Sequence, residues 1–301
     1  ADQRSHKSEE EIAEIEKAVD TSVSMHEAGM RMARPGMSEL EIAAEVERIA
    51  TMGGGQIAFP VIATINGQTL HNHAHENVIA EGDLFLLDAG AETAMGYAGD
   101  LTSTFPVSQK FIERQKTIWE ILLSAYETAT SSLAPGVPYR DVHFAACRVI
   151  FEGMKGLGVF KGDTDEALAA GAHAMVMPHG LGHMMGLDVH DMENLGEVVV
   201  GYAGEPKSTQ FGLKSLRLAR PLEPGFVLTV EPGIYFIPQL MDLWRSNGHC
   251  GDFIDFDELD KWRDFGGVRN EEDYLITADG GRRLGRAKPK TIPEIEALRA
   301  G

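Results

Sequence analysis

Cysteine is scarce in this chain. Cys147 and Cys250 are the two among 301 residues, too few for a disulfide framework or a thiolate zinc site. Cys147 falls in an apolar helical pattern, as a small core residue does, and Cys250 lies in a Gly/Asp-rich stretch. That usage suits a reducing compartment, and a cytoplasmic location is expected. No run reaches the roughly 20 apolar residues of a membrane span. Positive charge is also short. Lys and Arg number 27 against 46 Asp and Glu, a net charge of -19 with no basic cluster. Nucleic acid and membrane surfaces are therefore not expected as partners. The acidic excess reads first as a solubility feature. Linkers, low-complexity tracts and a signal-peptide pattern after Ala1 are also missing.

What remains is a globular composition. Hydrophobic residues make up 43% of the chain, enough for the core of one large α/β unit or two fused halves. Ser8 followed by Glu9, Glu10 and Glu11 marks a helix start. Ile12, Ile15, Val19, Val23 and Met30 follow a helical period. Pro35-Gly36 breaks that helix, and Ser38 opens a second with Leu40, Ile42, Ala43, Val46 and Ile49. Residues 57–107 read as strands and turns. Helix returns at about 108–133, breaks at Pro135-Gly136, and resumes over about 139–153. Residues 239–266 read as an inserted surface loop with one short helix around Phe256–Arg263.

The order repeats. Pro35-Gly36 and Pro135-Gly136 each separate two helices, and Ile42, Arg48 and Ile49 correspond to Val142, Arg148 and Val149. A sharper echo links Gly82 through Gly90 with Gly225 through Gly233. In both, Gly leads into a buried strand, an acid follows, and Gly stands two beyond. Each half then offers a second acid before a β-like run: Asp100 in the first, Glu271 in the second. The expectation is an internal duplication, with halves of about 1–107 and 108–285 in a single domain, 1–301. Chance likeness between strand-turn segments is the plainer alternative.

Acids at the ends of buried strands are costly unless paired or bound to cations. Asp88 and Glu231 stand there, one per half, with Asp100 and Glu271 as companions. A closed pseudo-symmetric sheet would gather all four, and their repulsion would call for cations. The segment Pro178–Asp191 adds His179, His183 and His190 among glycines. A lone buried His is usually a satisfied core residue; three within twelve residues, beside such acids, point to use of at least one. Four carboxylates and an imidazole form a hard, oxygen-rich set. It suits Mn²⁺, Co²⁺, Fe²⁺ or Zn²⁺, with two carboxylate-bridged ions roughly 3.5–4 Å apart. His71, His73 and His75, if extended, share one face; for His73 and His75 an exposed strand or loop is the simpler reading.

These motifs resemble the M24 peptidase family over nearly the whole chain. The resemblance implies a pita-bread fold: α+β, with two pseudo-symmetric α/β halves around a curved antiparallel sheet. The five family ligand positions fall on Asp88, Asp100, His183, Glu231 and Glu271, with Asp100 and Glu271 bridging. The run His179-Gly180-Leu181-Gly182-His183, with Gly186–Asp191 and Leu228–Ile237, resembles the proline-specific branch, prolidase and aminopeptidase P. The insertion ending at Phe265–Asp273 and Leu216–Arg220 look more like prolidase. Asp88 and Asp100 are separated by one residue more than is usual, which places an extra residue in the turn near Ala94-Met95. Members of this branch usually carry a further N-terminal domain; the expectation here is the catalytic domain alone.

The implied activity is hydrolysis of Xaa-Pro bonds in small proline-containing peptides, as a dipeptidase. Aminopeptidase P activity on longer peptides is the alternative, and a non-catalytic binding protein on the same fold the second. Two divalent ions, Mn²⁺ first, are the implied cofactors, and a homodimer is allowed. Glu231 is the implied general base, His190 the oxyanion donor, His71 a leaving-group contact, and His179 a pocket-lining residue in reach of substrate. Arg217 is the implied partner of the substrate carboxylate; a structural ion pair is its plainer role.

Overall fold

A computed structural model describes residues 1–301. A one-turn helix, α1 (Asp2–Ser5), precedes α2 (Glu9–Met32) and α3 (Glu39–Met52). Both longer helices begin with a complete capping box, Ser8 with Glu11 and Ser38 with Glu41, so the first backbone donors are satisfied on both sides. Ile15, Val19, Val23 and Met30 face the core as their period requires. In α3 the buried stripe is Ile42, Ala43, Val46 and Ala50, whereas Leu40 is exposed. The stripe begins at Ile42, two residues after the first apolar one, because Leu40 lies about 200° around the helix from Ile42.

Strands β1 (Gln56–Ile57), β2 (Ile62–Thr64), β3 (Leu84–Ala89), β4 (Ala91–Glu92) and β5 (Leu101–Pro106) follow. Helices α4 (Glu113–Ser131), α5 (Tyr139–Gly156), α6 (Thr164–Ala170) and α7 (Glu197–Tyr202) lead to β6 (Val227–Val230) and β7 (Gly233–Tyr235). Then come α8 (Pro238–Asn247), α9 (Phe256–Asp260), β8 (Gly267–Arg269), β9 (Glu272–Thr277), β10 (Gly280–Arg283) and α10 (Ile292–Ala300). The insertion therefore holds two helices, not one. It is also more than a surface loop, since Met241, Trp244, Ile254 and Leu259 are buried in the main core.

All the strand pairs are antiparallel. One sheet runs β2-β3-β5 and another β10-β9-β6. They meet at a bridge between Thr102 and Glu271, so the strands form one curved surface across the middle of the molecule. Helix α2 packs beside β3 and β5, α3 beside β1 and β2, and α4 beside β6 and β7. Helix pair followed by antiparallel strand pair thus occurs twice in the chain. The turn near Ala94-Met95 is a tip at Thr93–Tyr97, with Met95 exposed, and it leaves the β3–β5 register unbroken.

Candidate metal centre

One row across the curved sheet builds the site. Asp88 on β3 pairs with Thr102 on β5, and Thr102 bridges Glu271 across the seam. On the far side Val230 pairs with Glu272; one further step along that register sets Glu231 beside Glu271. Residues in one row of a sheet present their side chains to the same face. Asp100 lies two before Thr102 and so shares that face. The four acids come together because the two halves join in this register.

The fifth donor arrives on a loop. His183 N–H donates to Thr229 Oγ1 at 3.1 Å, and Thr229 N–H donates back to the His183 carbonyl at 3.0 Å. This close approach needs Gly182, where a Cβ would stand 2.1 Å from the Thr229 carbonyl oxygen. His183 Nδ1–H donates to the Met184 carbonyl at 3.0 Å. That bond fixes the tautomer and leaves the Nε2 lone pair facing Asp100 Oδ2 at 3.4 Å and Glu231 Oε1 at 3.8 Å. An outer hydrogen bond of this kind orients metal-ligating histidines.

The nine residues given a metal, catalytic or substrate role in the sequence analysis line one cleft of about 500 Å³. Donor atoms of Asp100, His183 and Glu271 lie within 4.8 Å of one another. Burial, then Asp88, Asp273 and Glu231, push Asp100 well above the usual carboxylate range. Burial and Asp100 do the same to Glu271, and burial raises Glu231. Asp88 Oδ1 is buried without a hydrogen-bond partner. Without a cation, such a group must hold protons to relieve its own repulsion. Hard oxygens, one oriented imidazole and an unpaired carboxylate oxygen fit divalent metal ions.

Histidines ring this cluster. His179 accepts from Tyr235 Oη at 3.0 Å through Nε2 and donates from Nδ1 to the Gly180 carbonyl. Burial and Arg269 hold its pKa down at about 3, so it is neutral. His190 packs edge-on against His183, with ring centroids 4.2 Å apart, and burial with His183 lowers it to about 2. Burial and Arg269 also lower His71. The segment holding His71, His73 and His75 is irregular, so these rings do not share one face. His71 and His73 line the cleft, while His75 bonds the Val61 carbonyl at 3.1 Å. His73 is an exposed residue of an irregular loop at the edge of the cleft, in keeping with the simpler reading, whereas His75 is half-buried.

Arg217 faces the cleft while paired with Glu193, whose carboxylate also stands 3.5 Å from His190 Nδ1. Sequence reasoning missed Glu193, and no motif marks it. It also missed Arg269, which donates to Asp88 at 2.6 Å, Thr102 Oγ1 at 3.1 Å and Tyr235 Oη at 2.9 Å. Burial opposes the charge of Arg269, but Tyr235, Asp88, Glu271 and Glu231 outweigh it and hold the guanidinium protonated. Its position two residues before Glu271 was the available signal.

The sequence pattern of metallopeptidase family M24 matches residues 13–278. The Xaa-Pro dipeptidase of Mus musculus is 39% identical over 288 residues, covering 93% of this chain and 57% of that protein. The Xaa-Pro aminopeptidase of Escherichia coli (strain K12) is 37% identical over 300 residues, 98% of this chain and 59% of that one. Among solved structures, Pseudomonas aeruginosa aminopeptidase PepP superposes with a TM-score of 0.81 at 36% identity, covering 99% of this chain and 60% of that chain. Zn-substituted E. coli aminopeptidase P in complex with product gives the same TM-score and identity, with 99% and 60% covered. The fold is accordingly the pita-bread fold. The chain spans less than two thirds of the length of these relatives.

Proposed function

Because the chain belongs to metallopeptidase family M24, we propose that it hydrolyses the bond before proline in small peptides, as an Xaa-Pro dipeptidase. The observation that carries this reading is the convergence of Asp88, Asp100, His183, Glu231 and Glu271 in one cleft. That convergence disfavours a non-catalytic binding role, which would not need a complete ligand set. The five residues would hold two divalent ions, Mn²⁺ first given the hard oxygen set. The chemistry such ions supply when bound is activation of water and polarisation of the scissile carbonyl.

The chain's own groups do the rest. Glu231 is half-buried and turned to the cleft; it accepts the proton of the attacking water as general base. His190, kept neutral, donates a hydrogen bond to the developing oxyanion. His71 orients the leaving proline nitrogen. His179, held by Tyr235, walls the pocket without adding charge. Arg217 exchanges part of its pairing with Glu193 for the substrate carboxylate, which selects short peptides.

The two halves, about 1–107 and 108–285, act as one catalytic unit, each giving two carboxylates. Both cysteines are free, which supports a reducing compartment such as the cytoplasm. Aminopeptidase P activity is the second reading, favoured by the solved relatives named above.

The test is an assay of Mn²⁺-loaded protein on Ala-Pro beside Ala-Pro-Ala, with a chelated control. Faster cleavage of Ala-Pro supports the dipeptidase; faster cleavage of the tripeptide moves the assignment to aminopeptidase P. Asp100→Ala is expected to lose activity and bound metal together, and full turnover by that variant would overturn the two-metal reading.

A further inference from the structure

A second cluster of donors lies outside the cleft. His143 and Cys147 stand one turn apart on α5, and His173 meets them from the 3₁₀ turn Ala172–Met175. All three are fully buried, and their donor atoms lie within 4.8 Å of one another. Cys147 Sγ is 3.4 Å from His143 Nε2. The His143 and His173 rings meet edge to face at 5.9 Å, with Phe144 against His173 at 6.0 Å.

Neither ring nitrogen of His173 has a hydrogen-bond partner. A neutral imidazole carries one N–H and one lone pair, and buried polar atoms of this kind are almost always satisfied. An aromatic or aliphatic side chain would fill the space without that penalty. The donors therefore point to a ligand that takes lone pairs.

Charge narrows the choice. Burial is what chiefly acts on Cys147 and His173, and burial with neighbouring histidines acts on His143; no carboxylate is among the influences. One thiolate and two neutral imidazoles bring a single negative charge. A univalent cation makes the complex neutral, whereas a divalent one would leave an unpaired charge in the core. Thiolate and imidazole are both ligands that copper accepts, and thiolate favours Cu⁺ in particular.

We propose that His143, Cys147 and His173 form a buried three-coordinate site for a univalent soft cation, Cu⁺, separate from the cleft. On binding, the Cys147 thiol releases its proton to solvent, both imidazoles stay neutral, and no electron is transferred. The ion ties α5 to the segment that runs on into His179 and His183.

The experiment uses chelator-stripped protein and Cu⁺ supplied as its acetonitrile complex under argon. Because the cluster is shut off from solvent, the ion is offered both to folded protein and during refolding. One equivalent is expected to survive desalting, with near-ultraviolet sulfur-to-copper absorption and a raised unfolding temperature. That absorption needs a thiolate, so it is blind to the carboxylate cleft and independent of the peptidase assays. Cys147→Ser and His173→Gln each lose the copper, while Cys250→Ser retains it. Far-ultraviolet circular dichroism shows which variants fold, and either of the first two suffices. Absence of the band from the parent protein overturns the site, as does copper that follows Cys250. Tighter retention of Zn²⁺ than of Cu⁺ overturns the univalent assignment.

Discussion

Arg269 sets the charge of the cleft. Its three donor nitrogens reach Asp88, Thr102 and Tyr235, and Tyr235 passes the chain on to His179. Arg269→Met is expected to cost roughly 3–5 kcal/mol in denaturant unfolding, because Asp88 loses its buried counter-charge. Arg269→Lys rescues little of that, since one ammonium cannot serve three separate directions at once. Equal stability of the Met variant would show that the pair contributes nothing. Arg217 calls for a different readout. If it binds the substrate carboxylate, Arg217→Ala raises KM for Ala-Pro with kcat nearly unchanged, the pattern of lost uniform binding. If its bond to Glu193 is only structural, stability falls and KM holds. These residue-level roles were partly legible. Asp88 and Glu231 stand out as acids at buried strand ends, with Asp100 and Glu271 as their companions. Glu193 does not, because an acid in a polar loop looks like any solvated one until its partners are known.

At the scale of elements, the His183 loop lies flat on β6 through Gly182. Gly182→Ala places a methyl group against the Thr229 carbonyl and 2.6 Å from Tyr139 Oη. The expected result is a loss of about 1–3 kcal/mol from overpacking, with a larger fractional loss of activity as His183 shifts off Asp100. Thermal unfolding and metal content on one preparation check both parts; unchanged metal content would separate the loop from the site. The helices were legible because capping boxes and a 3.6-residue period are local. The irregular His71–His75 segment was not, since its course follows from what it rests on. The insertion was misjudged for a related reason: its polar Asp residues sit in sequence beside Trp244 and Leu259, and only packing shows which face turns inward.

Across the whole molecule, the seam between halves couples stability to the site. Thr104 Oγ1 donates to the Arg269 carbonyl at 3.0 Å, and Thr102 Oγ1 to Glu271 at 2.6 Å. Near it, His26 is fully buried, bonded at 2.9 Å to Ser103 Oγ and to the Ala89 carbonyl. Burial, then Lys288, lowers its pKa from 6.5 to about 3. The unfolded chain therefore binds this proton first as the pH falls. Stability from His26 is present in full above about 6.5 and is lost down to about 3, at up to about 1.4 kcal/mol per pH unit. His26→Gln should flatten the loss between pH 7 and pH 5 by about 2 kcal/mol in urea unfolding. An unchanged slope would mean that other groups carry the acid sensitivity.

The sequence by itself determined the helices, the repeated order of elements, the absence of a long apolar span and the residue types available for metal chemistry. These follow from periodicity, capping and composition, which act over a few residues. The tertiary structure alone decided that Asp88, Glu271 and Glu231 share one row. It also decided that Arg269 neutralises Asp88, and that His143, Cys147 and His173 meet in the core. Those juxtapositions depend on strand register and on how two halves close. Both are set by the summed packing of residues far apart in the chain, which no local pattern records.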